Sequence, residues 1–486
     1  MKNPSPSVPR SLLARVAWLA VCVLALIAGA TPAVAADEPP PPPREQRPAP
    51  VTVQTLRPGT APGLLFLAPQ STRDVYLHGP QILDNQGRPI WFHEIDEGAF
   101  ATNFRVQTYR GQEVLTWWEG GANNTGQGWG VGYIADKNYQ IIATVGAPDD
   151  RLDFHEFRLT ERGTALVMLF RTRPYDLTPI GGPPDANMGE SGFREVDVAT
   201  GEVIREWWSL DHVPPTESYV TGSVLEKSYF HMNSVALDVD GHYLLSARHT
   251  NTVYKVHRQT GEIIWRLGGR RSDFQLDDGA TFSGQHDAEP EGRNIYRIFD
   301  NALTESQPGN ESRVIWLKVD PLRKVAKLVR EVRHPERMSV EAEGGSFRLP
   351  NHNTIVSWGR SGRVSEFTAS GSLVFDAALP PTHSTYRAYR FRWHGRPLTG
   401  PTVTLAGDGT TVNAVWNGAT GVARWRVLGG RTETSLRPIA NAAWNGLDTS
   451  IGLPDGVGMG LNYLQVQALD NCSRVIGTSP VTPAGH

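Results

Sequence analysis

The sequence predicts an all-β chain: a six-bladed β-propeller followed by a small C-terminal β-sandwich of the immunoglobulin or fibronectin type. Three observations predict it. Two interleaved series of turn-plus-apolar-strand segments run through residues 53–395. No amphipathic helix of more than two turns stands out among them. After Gly395 the texture changes to shorter alternating strands.

The first series has its turns near Gly87, Asn138, Gly201, Gly261, Arg323 and Gly371, at steps of 51, 63, 60, 62 and 48 residues. "NQGRPIWF", "ATGEVIREWW" and "QTGEIIWRL" are typical members. The second series interleaves with it and includes "RGQEVLTWW", "RGTALVMLF", "DGHYLLSAR", "EGRNIYRIF" and "PNHNTIVSW". Each places a turn residue before a β-rich run. Two such series on one long period give six four-stranded units, the arithmetic of a six-bladed ring. Two large sandwiches would have to divide six similar units between them. "TYRAYRFRW", Thr385–Trp393, is expected to return and close the ring.

The expected divisions are a signal peptide at 1–36, a Pro-rich linker at 37–52, the propeller at 53–395 and the sandwich at 396–486. Lys2, Arg10 and Arg15 form a basic n-region, "VAWLAVCVLALIAGA" an apolar h-region, and "AVA" at Ala33–Ala35 a small-residue cleavage site. The apolar run is too short and wrongly flanked for a stable membrane span, and no second candidate span follows. The chain is therefore expected to be secreted. "DEPPPPPREQRPAP", Asp37–Pro50, has the composition of an extended spacer.

The net charge is −3 from 47 basic and 50 acidic residues. Without the three basic residues of the n-region it is 44 minus 50, or −6. No basic run or stripe appears, so nucleic acid is not an expected partner. The two cysteines are Cys22 and Cys472, and the first leaves with the signal. One cysteine makes no internal disulfide. Cys472 is expected to be a buried, inert thiol.

Chemistry concentrates in "FHMNSVALDVDGHYLLSARH", Phe230–His249. With Asp240–Gly241 as a two-residue loop, Val239 pairs with His242 and Asn233 lies opposite Arg248. His231 then sits two residues along on the same strand face. "DFHEF" puts His155, and "GQHDAEPEG" puts His286, near the start of the inner strands of neighbouring units. In a propeller those starts converge on the central channel. An Arg buried there implies an anionic partner, because an unpaired buried ion costs several kcal/mol. His78, His242, His257, His352 and His383 fit structural positions.

These segments resemble the bacterial arylsulfotransferases. The resemblance rests on "DFHEF…GTALVMLF", "FHMNSV…YLLSARHTNTVYKVHRQTGEIIWRLGG", "QHD" and "IFDN", and spans about Gly63 to Trp393. It implies a secreted enzyme that moves a sulfuryl group from an aryl sulfate donor to a phenolic acceptor. It needs no nucleotide sulfate donor and no cofactor. It implies a ping-pong mechanism through a sulfohistidine, with His286 as nucleophile. His155, His231, Asn233 and Arg248 match the residues around the sulfate. Of these, His155 suits proton transfer, and His231, Asn233 and Arg248 suit sulfate contact. Tyr219, Phe230 and Trp358 are candidates for an aromatic cleft or for the core. The chain departs from the best-known periplasmic members: it shows no small N-terminal sandwich, cannot form their disulfide, and carries a sandwich at the C-terminus instead. Two other readings use the same residues. One is a metal-dependent hydrolase with His155, His231 and His286 as ligands, against which Arg248 would repel a cation. The other is a non-catalytic module that binds anionic or sulfated ligands.

Overall fold

The computed structural model describes residues 45–71, 75–146, 152–303 and 311–484. The expected signal peptide, with Cys22, and residues 37–44 of the spacer lie outside the described residues. The protein is all-β, with one seven-residue α-helix, Gly222–Ser228, among the described residues. Among the described residues, no helix is long and apolar enough to cross a membrane.

Six four-stranded antiparallel units follow one another. The second comprises Phe100–Tyr109, Gln112–Ala122, Gly128–Ala135 and Ile141–Val145. The third comprises Leu152–Leu159, Thr164–Tyr175, Ala186–Asp197 and Val203–Trp208, and a single pair, Gly130 with Leu152, joins it to the second. The fourth comprises Met232–Leu237, Tyr243–Ala247, Thr252–Val256 and Ile263–Gly268. The fifth comprises His286–Pro290, Ile295–Asp300, Arg313–Asp320 and Val325–Arg333. The sixth comprises Gly345–Arg348, Thr354–Ser357, Arg363–Phe367 and Leu373–Ala378.

The first unit is assembled from both ends of this region. Leu64–Ser71, Gln81–Leu83 and Pro89–Phe92 form three strands, and His383–Phe391 returns to pair with Leu64–Ser71. Thr52–Leu56 likewise adds to the outer edge of the sixth unit through Leu373–Ala378. The expected turns of the first series all fall between third and fourth strands of these units.

Alternation along each strand puts apolar side chains on both sheet faces, and every unit shares a core with the next. Phe66 and Trp91 of the first pack with Phe104 and Trp117 of the second. Trp118 of the second packs with Phe157 of the third. Phe193 and Trp207 of the third pack with Val235 and Tyr254 of the fourth. Leu244 and Leu267 of the fourth meet Tyr296 and Ile315 of the fifth. Phe299 and Trp316 of the fifth meet Trp358 and Phe367 of the sixth. Leu65 and Leu83 of the first meet Ile355 and Phe375 of the sixth.

Beyond residue 400, a three-stranded and a five-stranded sheet enclose Val412, Ala414, Trp425, Val427 and Val466. They dock on the outer edge of the first unit. Asn417 accepts from Phe92 N–H at 3.0 Å and donates to Phe92 C=O at 2.8 Å. Leu447 N–H reaches Pro89 C=O at 2.6 Å, and the Arg88 guanidinium lies 4.9 Å from the Trp444 ring centre. This covers strand edge that would otherwise be open to pairing.

Cys472 departs from expectation: it is exposed. It occupies a tight turn in which Asp470 accepts the N–H groups of Cys472 and Arg474, each at 2.9 Å, so its side chain cannot reach the core.

Candidate functional site

The inner strands of the units do not enter the site as regular β-structure. Residues 154–156 bulge out between the pairs Phe157–Val167 and Asp153–Met168. Asn233 is an extra residue between Met232–Ala247 and Ser234–Ser246. Further register shifts lie beside Asn103, Asp287 and Arg387. Asn103, His231 and Asp287 have φ of 55°, 51° and 54°, a left-handed backbone that disfavours residues with a Cβ. Bulges re-aim side chains and recur beside binding sites. Here the bulge at 154–156 brings His155, and the shift beside Arg387 brings Tyr386, to the lining of one pocket.

That pocket, of about 350 Å³, is lined by His155, His231, Arg248, His249, His286 and Tyr386, with Phe154, Lys227, Glu343 and Arg360 among the residues around them. The His155 and His231 rings meet edge to face at 5.1 Å between centres. Tyr386 lies 5.6 Å from His155 and 6.3 Å from His286. His155, His231, Arg248 and His286, singled out from the sequence, are therefore brought together from three different units.

The hairpin register differs from the expected one, and the difference matters. Leu237 pairs with Tyr243, and Asp238 N–H reaches His242 C=O at 2.8 Å, so the loop is three residues, Val239–Gly241. Gly241 takes φ 82°, the left-handed position that such a loop needs. The bulge at Asn233 then shifts the register again. Arg248 N–H donates to His231 C=O at 2.9 Å, so Arg248 lies opposite His231 rather than Asn233. Asn233 is fully buried, and its amide donates to Gln285 C=O at 2.7 Å, on the residue before His286. It is outside the pocket lining.

His286 is almost wholly buried. Its Nδ1 lies 2.8 Å from Asn301 Oδ1. Asn301 Nδ2 donates to Val340 C=O at 2.9 Å and Glu343 C=O at 3.1 Å, which fixes the amide with its oxygen toward the imidazole. Nδ1 must then carry the proton, and Nε2 keeps its lone pair. Burial, and then the Arg248 charge, hold the His286 pKa well below the usual imidazole value. His231 is depressed by burial and by His249, His155 and Arg248, and it shares a 3.1 Å hydrogen bond with Ser228 Oγ.

His155 carries a carboxylate partner. Its Nδ1–H donates to Asp153 Oδ1, which also accepts His155 N–H at 3.0 Å, while Asp153 Oδ2 accepts Gly128 N–H at 2.7 Å. The ring stacks on Phe154 at 4.0 Å. Only Nε2 remains for proton exchange.

Arg248 donates through Nη2 to Glu341 C=O at 2.7 Å, and its buried Nε has no hydrogen-bond partner. His249, which sequence reasoning passed over, gives its Nδ1–H to Ser228 C=O and places Nε2 3.5 Å from Arg248 Nη1. Burial pushes its pKa down to about 4, so it stays neutral beside the guanidinium. The Ser-x-Arg-His run contained this signal. Asp153, two residues before His155, and Tyr386, in the returning strand, were also missed.

Of the three aromatic candidates, two take the core reading and none lines the pocket. Phe230 and Trp358 are fully buried in inter-unit cores, and Tyr219 is an exposed residue under Arg270, 4.4 Å from the guanidinium. The aromatic lining consists of Phe154 and Tyr386 instead. Among the described residues, no group of three or more His, Cys, Asp or Glu side chains is arranged to hold a metal ion. The ligand set of the hydrolase reading is not assembled.

Comparison with solved structures returns remote likenesses. A protein of unknown function from Bacteroides caccae is 12% identical, with 67% of this chain and 98% of that chain covered and a TM-score of 0.40. The periplasmic gluconolactonase of Pseudomonas aeruginosa is 13% identical, covering 81% and 99%, at 0.36. A catalytically inactive virginiamycin B lyase from Staphylococcus aureus, solved with quinupristin, is 10% identical, covering 76% and 97%, at 0.34. No curated protein matches the sequence. A family model described as arylsulfotransferase (ASST) matches residues 105–379, which hold His155, His231, Arg248 and His286 together. The chain is a member of the arylsulfotransferase family.

Proposed function

We propose that the protein is a secreted aryl sulfotransferase that moves a sulfuryl group from a phenolic sulfate ester to a phenol by a ping-pong mechanism. Family membership supports a sulfotransferase acting on small aryl substrates. One observation carries the rest: a buried imidazole, His286, whose Nε2 lone pair is kept free by Asn301 and whose pocket neighbours include Arg248.

In the first half-reaction His286 Nε2 attacks sulfur. The N–S bond forms, the bond from sulfur to the aryl oxygen breaks, and the leaving phenolate takes a proton from His155. Asp153 stabilises the imidazolium that supplies it. Sulfuryl transfer passes through a loose, charge-dispersed state, so the catalytic burden falls on positioning and charge. Arg248 offers two N–H groups to the sulfuryl oxygens, and His231 is a further contact. In the second half-reaction the acceptor phenol gives its proton to His155 and attacks sulfur, and the N–S bond breaks. Asn233 acts indirectly in this scheme, by holding Gln285 next to the nucleophile.

The same reading takes the six units as a closed six-bladed propeller, residues 53–395, with an immunoglobulin- or fibronectin-like sandwich at 396–486. The return of His383–Phe391 and the core shared by the first and sixth units support closure. The basic n-region, apolar run and Ala33–Ala35 support export through a signal peptide at 1–36.

Incubation with 4-nitrophenyl sulfate alone tests the mechanism. Intact mass is expected to rise by about 80 Da, one SO₃, and to return on adding phenol. Protein that turns over donor and acceptor with no adduct, or forms the adduct equally as His286→Ala, overturns the assignment.

A further inference from the structure

The charged groups next to the pocket include one that the mechanism above leaves unused. Arg387 stands on the returning inner strand of the first unit and is almost wholly buried. It is not part of the pocket lining. Its Nη1 donates to Asn103 Oδ1 at 2.9 Å and to Glu156 Oε2 at 2.9 Å. Its Nη2 donates to Asn233 C=O at 3.2 Å. Its Nε lies 3.3 Å from Asp287 Oδ1.

These four partners belong to the inner strands of the second, third, fourth and fifth units. Their places in the chain are specific. Glu156 follows His155, Asp287 follows His286, and Asn233 lies two residues after His231. Asn103 in turn donates to Phe154 C=O at 2.9 Å, on the residue before His155. Each partner sits in or beside one of the irregular turns described above. One planar guanidinium thus hydrogen-bonds beside His155 and near His231, and makes an ion-pair contact beside His286.

Irregular backbone of this kind has no ladder to fix it. A left-handed φ at Asn103, His231 and Asp287 is less favourable than regular strand, most of all at His231, since Asn and Asp tolerate that region better. Something must over-determine it. We infer that Arg387 is the positioning residue that sets His155, His231 and His286 in register with one another, an assignment that rests on the sulfotransferase reading of the site. A planar fork with donors in fixed directions can hydrogen-bond three strands while its charge faces a carboxylate on a fourth, a geometry that a compact ammonium does not reproduce. Arg387 also sits close enough to His286 for its charge to help keep that imidazole neutral. The other groups facing His286 are Arg248, His155, His231, Tyr386 and the neutral amide of Asn301.

The test uses full-length Arg387→Lys and Arg387→Met. Misplacing reacting groups by about 1 Å can cost on the order of 100-fold in rate. For Arg387→Lys the expected result is a fall in kcat of at least about tenfold with donor KM changed less than about threefold, and the acid limb of adduct formation unmoved. For Arg387→Met the fall is expected together with an acid limb displaced to higher pH, because the charge that favours neutral His286 is gone. A merely structural role would lower the amount of folded enzyme and leave that limb in place. Wild-type kcat in folded Arg387→Lys overturns the inference, as does an unmoved limb in Arg387→Met. If Arg387→Met does not fold, Asn103→Leu together with Glu156→Gln weakens both arms to the His155 bulge and is held to the same kcat criterion. Imidazole NMR of Arg387→Lys separates this inference from the sulfotransferase reading. The ring signals of His155, His231 and His286 are expected to shift together while the outer pair His242 and His257, 4.6 Å apart, stays put. Absence of that joint shift sinks the positioning role, whereas a wild-type protein with no sulfuryl adduct sinks the reading beneath it.

Discussion

Asn301 accepts the Nδ1–H of His286 at 2.8 Å while two backbone carbonyls, of Val340 and Glu343, take its own N–H groups at 2.9 and 3.1 Å. The amide cannot turn over without breaking all three bonds. The tautomer of the proposed nucleophile is therefore set by carbonyls on the segment leading into the sixth unit. Asn301→Ala is expected to slow adduct formation by about 10- to 100-fold and to lower stability by about 1–3 kcal/mol, since the Val340 and Glu343 carbonyls each lose a donor. Stopped-flow release of 4-nitrophenol and thermal melts check both numbers. Undiminished burst kinetics would show that the Nδ1 contact does not matter.

Asp153 offers a second handle. Its Oδ1 accepts from both the imidazole and the backbone N–H of His155, and its Oδ2 is tied to Gly128. Asn at this position can still fill the space, but it can present N–H to the imidazole and favour the tautomer whose Nε2 already holds a proton. Neutral His155 then has no site for the acceptor's proton. Asp153→Asn is expected to lower kcat by about 100- to 10,000-fold with the fold retained. Phenols of lower pKa should suffer least, because they need less help in losing the proton. Equal losses across an acceptor series would contradict the proton-transfer role.

The depressed histidines make a stability prediction. In the unfolded chain each imidazole titrates near the ordinary value of about 6.5. In the folded protein His231 and His286 are held well below it, and His249 is pushed down to about 4. Below the unfolded value the unfolded chain therefore binds protons that the folded chain refuses. Stability is fully present above about pH 6.5 and falls as the pH drops toward the folded values. His249 alone contributes at most roughly 3 kcal/mol of that loss. Melting temperature should decline steeply between about pH 6.5 and 4.5, and His249→Gln should flatten the decline. A melting temperature flat across that window would mean that these rings are not buried neutral.

The fold was legible because its signal is periodic. Turn residues recur at Gly87, Asn138, Gly201, Gly261, Arg323 and Gly371, and each falls between the third and fourth strands of a unit. The candidate site was legible only in part. His155, His231, Arg248 and His286 meet in one pocket, but the pairing that led to them was wrong by one step in the hairpin and by another at the Asn233 bulge. A bulge leaves no composition signal: Asn233 reads like any polar strand residue. Tyr386 and Arg387 were hidden for a different reason. They lie on a strand more than three hundred residues from the one that it pairs with, and nothing local in "TYRAYRF" says that it enters the centre. The sequence left Phe230 and Trp358 between cleft and core because an aromatic beside a polar motif looks the same whether it faces a pocket or a neighbouring sheet; both are core.

The C-terminal sheets make the last prediction. The outer strand of the first unit, Pro89–Phe92, is an exposed edge except where the later sheets cover it. Asn417 caps it by bonding both the N–H and the C=O of Phe92, at 3.0 and 2.8 Å, and so mimics a neighbouring strand for one residue. Tyr139 reinforces the contact from the second unit, giving its hydroxyl to Gly418 C=O at 2.7 Å while its ring stacks on Trp91 at 5.1 Å. All of these groups lie outside the His–Arg pocket, so the coverage bears on stability rather than on sulfuryl transfer. Asn417→Ala is expected to lower stability by about 1–2 kcal/mol, because two buried or half-buried backbone groups lose a partner, with turnover per folded molecule unchanged. Two changes together, Asn417→Ala and Tyr139→Phe, should lose more than either alone and promote association through the uncovered edge. Light scattering beside activity assays checks this, and a loss of turnover that outruns the loss of folded protein would tie the C-terminal sheets to catalysis instead.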